Sequence, residues 1–442
     1  MTARLKRSLT TLTLVAVMFF NVSGGAFTTE SLVVSVGPAV ALLILILVPL
    51  LWSVPEALIV GELASMLPEE GGYYRWVYRA FGPFWAFQNG WWTWMYSLVD
   101  MAIYPVLFNQ YLAWFFPELG TMAQWLVSLS VIWIATAVNL RGAGRVGSVS
   151  VVAGAFVLLA FFLISIAAIP HASHFPWETG GKQTTAGISA LGIGVSIALW
   201  NYIGWDNAST VQEEVQDSSR SYPRALLITL PLVVLAYIIP LSTTLAASDW
   251  TGWREGGWPE IAVMTTGSAG KSLAAMVALA GMVSSLALFN ALLLSYSRIP
   301  LAMAGDRLLP GFLAKLDSRG TPRNAVLSSA VCYSVFALLS FVHLVVADVL
   351  LYSMALFLEF AALIALRRKS PQLRGSFRIP LGTKGVTALA ALPAVILLAV
   401  VWAEMSDGEY GGPAIIAALV AMLLGPVGYF FARRAAPNSP AA

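Results

Sequence analysis

The chain has 442 residues, of which 58% are hydrophobic and 11% charged, with a formal net charge of +3 and a mean hydropathy of +0.78. That composition excludes an ordinary soluble domain and a disordered chain, and it argues against a nucleic-acid binder. A single cysteine, Cys332, excludes an intrachain disulfide, and His171, His174 and His343 are too scattered to form a metal centre.

The apolar runs predict an all-α polytopic membrane protein. Twelve spans are expected, at about 12–36, 39–64, 84–113, 122–140, 147–169, 187–210, 223–246, 268–297, 324–342, 345–366, 385–402 and 412–431. Most reach the roughly 20 residues that cross a hydrocarbon layer. If Arg4, Lys6 and Arg7 are cytoplasmic, alternate loops collect 22 of the 25 basic residues, leaving Lys182, Arg254 and Lys271 on the outer side. The positive-inside rule then puts both termini on the cytoplasmic side of the plasma (cytoplasmic) membrane. The expected organisation is a tail (1–11), a five-helix repeat (12–169), a second, inverted repeat (187–366), two further spans (385–431) and a final tail (432–442).

The first span is interrupted by NVSGGAFTTE, from Asn21 to Glu30. The sixth is interrupted within ALWNYIGWDNAST, from Ala198 to Thr210. Backbone in lipid favours continuous helix, because no water is there to satisfy free N–H and C=O groups. The two interruptions lie 180 positions apart and both open Asn-x-x-Gly. Paired broken helices in two halves of a membrane protein mark a transporter's substrate site. The expected breaks are 22–26 and 202–206. The first would expose carbonyls of Val22, Ser23 and Gly24 and amides of Gly24, Gly25 and Ala26. Such amides suit a carboxylate, and sixth-span carbonyls suit an ammonium.

Other features fall between these breaks. Pro55 is expected to bend the second span, which also carries Glu56 and Glu62. YYRWVYRAFG reads as a short interfacial helix with aromatic anchors. The third span holds Trp92, Tyr96 and Asp100, the last two on one helical face. GAGRVG, Gly142 to Gly147, lacks a preceding strand and is read as a tight turn. Pro223 is expected in the first turn of the seventh span, and a short outer helix is expected before the eighth. The eighth span carries Ser284 and Ser285, the tenth Glu359, and the last two have no internal charge.

Several stretches together resemble the amino acid–polyamine–organocation permeases, most strongly the polyamine uptake transporters and their bacterial relatives. They are SGG in the first span, PEALIVGELASMLPEEGGYYRWV, GPFWAFQNGWW, NYIGWDNASTVQEEV and SYSRIPLAMAGDRLLP leading to TPRNA. The resemblance covers about residues 12–380. It implies a 5+5 inverted repeat with discontinuous helices 1 and 6, working by alternating access. Many members of that superfamily couple to a proton. One bacterial type places a lysine in the fifth span, where relatives bind sodium, and this chain has none there.

The candidate substrate residues are Val22, Ser23, Gly24, Gly25, Glu30, Trp92, Tyr96, Asp100, Tyr202, Trp205 and Asp206. Buried carboxylates without basic partners suit a cation, and an ammonium over a desolvated aromatic face gains roughly 2 kcal/mol. Candidate proton carriers are Glu56, Glu62, Asp100 and Glu359, while Ser284 and Ser285 with first-span carbonyls keep sodium open. The expected function is a proton-coupled permease for amines or polyamines. The alternative is a permease for neutral or cationic amino acids, or an exchanger. No catalysis, cofactor, metal or nucleic acid is expected. The expected partners are a small amine or amino acid, H+ (less readily Na+) and the lipid bilayer, with the protein a monomer or homodimer.

Overall fold

The computed structural model describes residues 5–178, 187–337, 345–405 and 411–435. Lys182, His343 and the end of the C-terminal tail lie outside the described residues. Helix α1 (Thr11–Val22) starts from a capping box in which Thr10 and Thr13 satisfy each other's backbone. The chain then leaves the helix through Gly24 (φ 68°) and Gly25 (φ 108°) before α2 (Thr29–Val36). The second span is α3 (Pro38–Val48) and α4 (Val54–Met66), joined by a π turn at Pro49–Ser53. The irregularity expected at Pro55 therefore falls one turn earlier. Pro55 has no N–H for the ladder, and the Val54 N–H reaches back to the Pro49 carbonyl instead.

Helix α5 (Gly72–Phe81) replaces the expected interfacial helix with a protein-covered one. Tyr73, Tyr74 and Trp76 are fully buried, so its aromatic face packs into the bundle and not among lipid headgroups. Next come α6 (Pro83–Leu112), α7 (Thr121–Asn139) and α8 (Ala143–Ala168). The expected turn over Gly142–Gly147 shrinks to Gly142, whose φ of 95° reverses the chain; the residues after it are already helical. Helix α9 (Ile188–Tyr202) stops at the second break, and Asn207–Glu214 continues as a 3-10 segment.

Helix α10 (Ser218–Ala247) begins five residues before Pro223, not at it. The carbonyl that Pro223 leaves without an N–H, on Ser219, accepts the Ser376 hydroxyl instead. The rest of the chain forms α11 (Trp258–Thr265), α12 (Gly270–Tyr296), α13 (Arg298–Gly305), α14 (Arg323–Phe336), α15 (Val345–Lys369), α16 (Thr383–Met405) and α17 (Gly411–Ala435).

Seven stretches of the described residues are long and apolar enough to span a membrane. The protein is thus all-α and multi-pass. Helix α12 is the central post, 78% buried in its most apolar window against 28% for α7 and α16. It packs on α6, α8, α11 and α1. Val395, Leu398 and Trp402 on α16 and Leu419, Val420 and Leu423 on α17 face outward, as lipid-facing side chains should.

The two breaks meet at the centre. Gly204 has a φ of 101°, and a Cβ there would stand 2.4 Å from the Asn21 carbonyl oxygen. The Thr28 hydroxyl donates to Asn201 Oδ1 at 2.9 Å. Each Asn-x-x-Gly motif is therefore packed against the other. Gly204→Val would impose an unfavourable φ, costing about 1–3 kcal/mol, on top of a clash with backbone. Its thermal unfolding in detergent should start well below that of the unmodified protein. An unchanged transition would mean that the breaks do not need this close approach.

Candidate functional site

Between the two breaks lies a cavity of about 30 Å³. The first break contributes Asn21, Val22 and Ser23, and the second Trp200, Asn201, Ile203, Gly204 and Asn207. Helix α6 contributes Tyr96, Asp100 and Tyr104, α12 Leu288 and Tyr296, and α15 Asp348 and Tyr352. Among the described residues, no lysine, arginine or histidine lines it. Asp100 accepts the Tyr104 hydroxyl at 2.7 Å on Oδ1 and the Tyr296 hydroxyl at 3.0 Å on Oδ2. Tyr104 stacks on Trp200 with ring centres 6.3 Å apart. Tyr96 meets Tyr296 and Tyr352 edge to face.

Tyr352 ties the cavity to the acids behind it. Its hydroxyl accepts the Gly204 N–H at 2.8 Å and lies 2.6 Å from Glu56 Oε1 and 2.7 Å from Asp206 Oδ1. A phenol has one proton and donates only once. Both short contacts can be full hydrogen bonds at once only where one carboxyl is protonated and donates to the phenol oxygen. Glu56 also accepts the Trp205 N–H at 3.1 Å and the Trp52 indole N–H at 2.9 Å. Glu359 is fully buried nearby and faces Asp206 and Glu56; neither of its oxygens has a hydrogen-bond partner among the described residues.

The breaks satisfy most of their own backbone. The Asn201 carbonyl accepts the Tyr237 hydroxyl, the Tyr202 carbonyl accepts Ser53 and the Trp205 indole, and the Trp205 carbonyl accepts Tyr222. In the first break the Gly24 N–H goes to the Phe19 carbonyl and the Gly25 N–H to Ser23 Oγ. The Gly24 carbonyl accepts Ser284 Oγ at 2.5 Å. Of the first-break groups expected to stand free for a substrate, the Gly24 and Gly25 amides bond within their own span and the Gly24 carbonyl accepts a side chain of α12.

Of the sequence-derived candidates, Val22, Ser23, Tyr96 and Asp100 line the cavity, and Asp206 and Glu56 reach it through Tyr352. Gly24 packs on Ser284 and Leu288, and Gly25 on Val157. The structure places six others away from it. Glu30 accepts the Gly256 N–H at 2.9 Å, Trp92 donates to the Met422 carbonyl and Tyr202 to the Leu45 carbonyl. Trp205 is a buried packing residue. Glu62 is not a free carboxyl, because Arg367 and the Ile379 N–H hold it. Ser285 turns away from the first break to its own helix, onto the Gly281 carbonyl.

Asp348, Tyr352, Tyr104 and Tyr296 were missed from sequence. Asp348, Tyr352 and Glu359 fall at i, i+4 and i+11 on α15, a polar stripe of helical period that could have revealed the first two.

The face bearing most of the basic loops is closed beneath the cavity. Arg298 is fully buried and donates to Glu214 Oε1 at 2.9 and 2.7 Å, with Glu70 at 3.7 Å. The Gly71 N–H donates to the Thr210 carbonyl at 2.9 Å, fastening α5 to the 3-10 segment. Burial and then Glu214 push the Glu70 carboxyl above its ordinary range, while Arg298 draws it back. Removing one partner of such a pair leaves a buried charge alone, a loss of about 3–5 kcal/mol. Arg298→Ala should therefore unfold much earlier on heating, and adding Glu214→Gln should recover part of the loss. The exposed Arg254–Glu260 pair is the control, since Arg254→Ala should cost under about 1 kcal/mol. Equal effects at the two sites would refute a structural role for the buried cluster.

Two interrupted helices around a closed, acid-lined cavity form the architecture of a secondary transporter, not of an enzyme. Residues 9–425 match the family model described as amino acid permease. A probable polyamine transporter of Arabidopsis thaliana is 35% identical over 427 residues, covering 95% of this chain and 84% of the relative. Polyamine transporter PUT1 of Oryza sativa subsp. japonica is 35% identical over 400 residues, covering 90% of this chain and 74% of that one. The branched-chain amino acid permease BcaP of Lactococcus lactis subsp. cremoris is 25% identical over 305 residues, covering 62% and 63%. The chain belongs to the amino acid permease family within the amino acid–polyamine–organocation superfamily.

Proposed function

We propose that this permease carries di- and polyamines into the cell, driven by protons, through alternating access of a twelve-span, 5+5 inverted-repeat fold with both termini cytoplasmic. The observation that carries this reading is the cavity itself. It holds Asp100 and abuts Asp206 and Glu56, with no basic side chain in its lining among the described residues. Carboxylates at that depth need a cation or a proton. The polyamine transporters among its relatives support the same substrate. The self-satisfied first break argues further against a carboxylate-bearing substrate, because the Gly24 and Gly25 amides are already engaged.

Proton coupling is supported by the cluster at Tyr352, where two buried carboxyls share one phenol hydroxyl. Within it, Glu56 and Asp206 are the carriers, and Glu359 extends the same acid cluster. Sodium has weaker support, because only Ser284 of the two serines reaches a first-span carbonyl. A second reading, an amino acid permease, is favoured by the likeness to the branched-chain amino acid permease.

Proteoliposomes decide between these. Labelled putrescine should accumulate when the outside is acidic and sodium-free, and a protonophore should collapse that accumulation. Asp206→Asn and Asp100→Asn should each weaken putrescine binding at least tenfold, about 1.4 kcal/mol. Competition by leucine or alanine, with no response to any diamine, would establish the amino acid permease instead. Strict dependence on sodium would remove the proton from the mechanism.

A further inference from the structure

We propose that Asp348, at the start of α15, is the second ammonium anchor of the site, so that the cavity reads a diamine by both of its charged ends. This rests on the polyamine reading above and assigns a residue to it. Asp348 lines the cavity, is 1% exposed, and its Oδ1 has no hydrogen-bond partner among the described residues. It faces Asp100 across the cavity. Each Asp100 oxygen already accepts one tyrosine hydroxyl, so Asp100 is partly satisfied while Asp348 is not.

Asp348 shares the cavity lining with Asp100 and with aromatic rings. Beside it in the cavity lining is the Tyr104–Trp200 stack, two aromatic surfaces of the kind that attract an ammonium. An ionised carboxylate facing a second carboxylate in a dry cavity is repelled unless a cation lies between them. An alkyl ammonium supplies that charge and lays its methylenes on the rings.

The spacing suits a short diamine. Asp348 precedes Tyr352 by four residues, about 6 Å of helix rise, and Tyr352 is bonded to Asp206. A four-carbon diamine, five bonds of about 1.5 Å at tetrahedral angles, spans about 6 Å between nitrogens when extended. The cavity must widen beyond its present volume of about 30 Å³ to admit it, with one ammonium by Asp348 and Asp100 and the other by Tyr352, which is bonded to Asp206. A longer polyamine places its extra amine beyond Asp348, away from the closed face.

The test compares putrescine with n-butylamine, which has the same chain and one charge, by competition or thermal shift on the purified protein. In the unmodified protein putrescine should bind at least tenfold more tightly. Asp348→Asn should bring that ratio down toward one, whereas an unchanged ratio, or equal weakening of both ligands, would overturn the assignment. Where the variant is not monodisperse, mono-N-acetylputrescine on the unmodified protein decides. It should bind at least tenfold more weakly than putrescine, and equal affinity would rule out a site that reads two ammonium groups. If the unmodified protein binds neither putrescine nor butylamine, the polyamine reading itself has failed, an outcome distinct from either result on Asp348.

Discussion

Burial of negative charge without positive charge is the constraint on which the rest of the structure depends. Glu56, Asp100, Asp206, Asp348 and Glu359 are all within 6% of complete burial, and among the described residues no basic side chain lines the cavity beside them. In low dielectric such groups interact several times more strongly than in water. The fold answers with hydroxyls and indoles: Tyr104 and Tyr296 on Asp100, Tyr352 on Asp206, and Trp52 on Glu56. Those partners stabilise charge but do not cancel it. What remains uncancelled is available to a proton or a cationic substrate, and both lower the energy of the same cluster. Under the proposed mechanism the two would be coupled within this one cluster.

The broken helices are held open by side chains that replace lost backbone bonds. Tyr237, Ser53, Tyr222 and Ser284 each take a carbonyl that a continuous helix would have satisfied, and Tyr352 takes the Gly204 amide. The contacts come from α10, the π turn, α12 and α15, so the breaks are a property of the assembled bundle. The residue that fixes Gly204 is also the one that touches Glu56 and Asp206. A change in the protonation of that trio therefore acts directly on the backbone of the second break.

The breaks and the acids were legible in the sequence because both violate the rules of a lipid-buried helix. Glycines and asparagines interrupting Asn21–Glu30 and Ala198–Thr210, and a carboxylate twelve residues from either end of a span, have no bland place in an apolar helix. Element edges were less legible. The second-span bend moved to Pro49–Ser53, and α10 began ahead of Pro223, because neighbouring groups such as Ser376 supplied the missing partner. The site's tyrosines were not legible, since a tyrosine in a membrane helix is as often an interface anchor. The destination of Glu62, paired with Arg367 305 positions away, was invisible for the same reason. Which polar groups meet is decided by tertiary packing, and only their existence is written locally.

The closed basic face and the acid-lined cavity also constrain each other. Arg298 is buried among Glu214 and Glu70, which sit on the 3-10 segment and just before α5. The 3-10 segment follows Asp206 directly in the chain, so the buried ion pair is tied to the second break. Separating Arg298 from its partners leaves charge unpaired until water enters, which makes opening unfavourable while the site above still carries uncompensated acids. Filling the cavity with cationic charge relaxes the acids and lets the break reorganise. Both clusters thus bear on the second break, the buried ion pair through the 3-10 segment and the cavity acids through Tyr352.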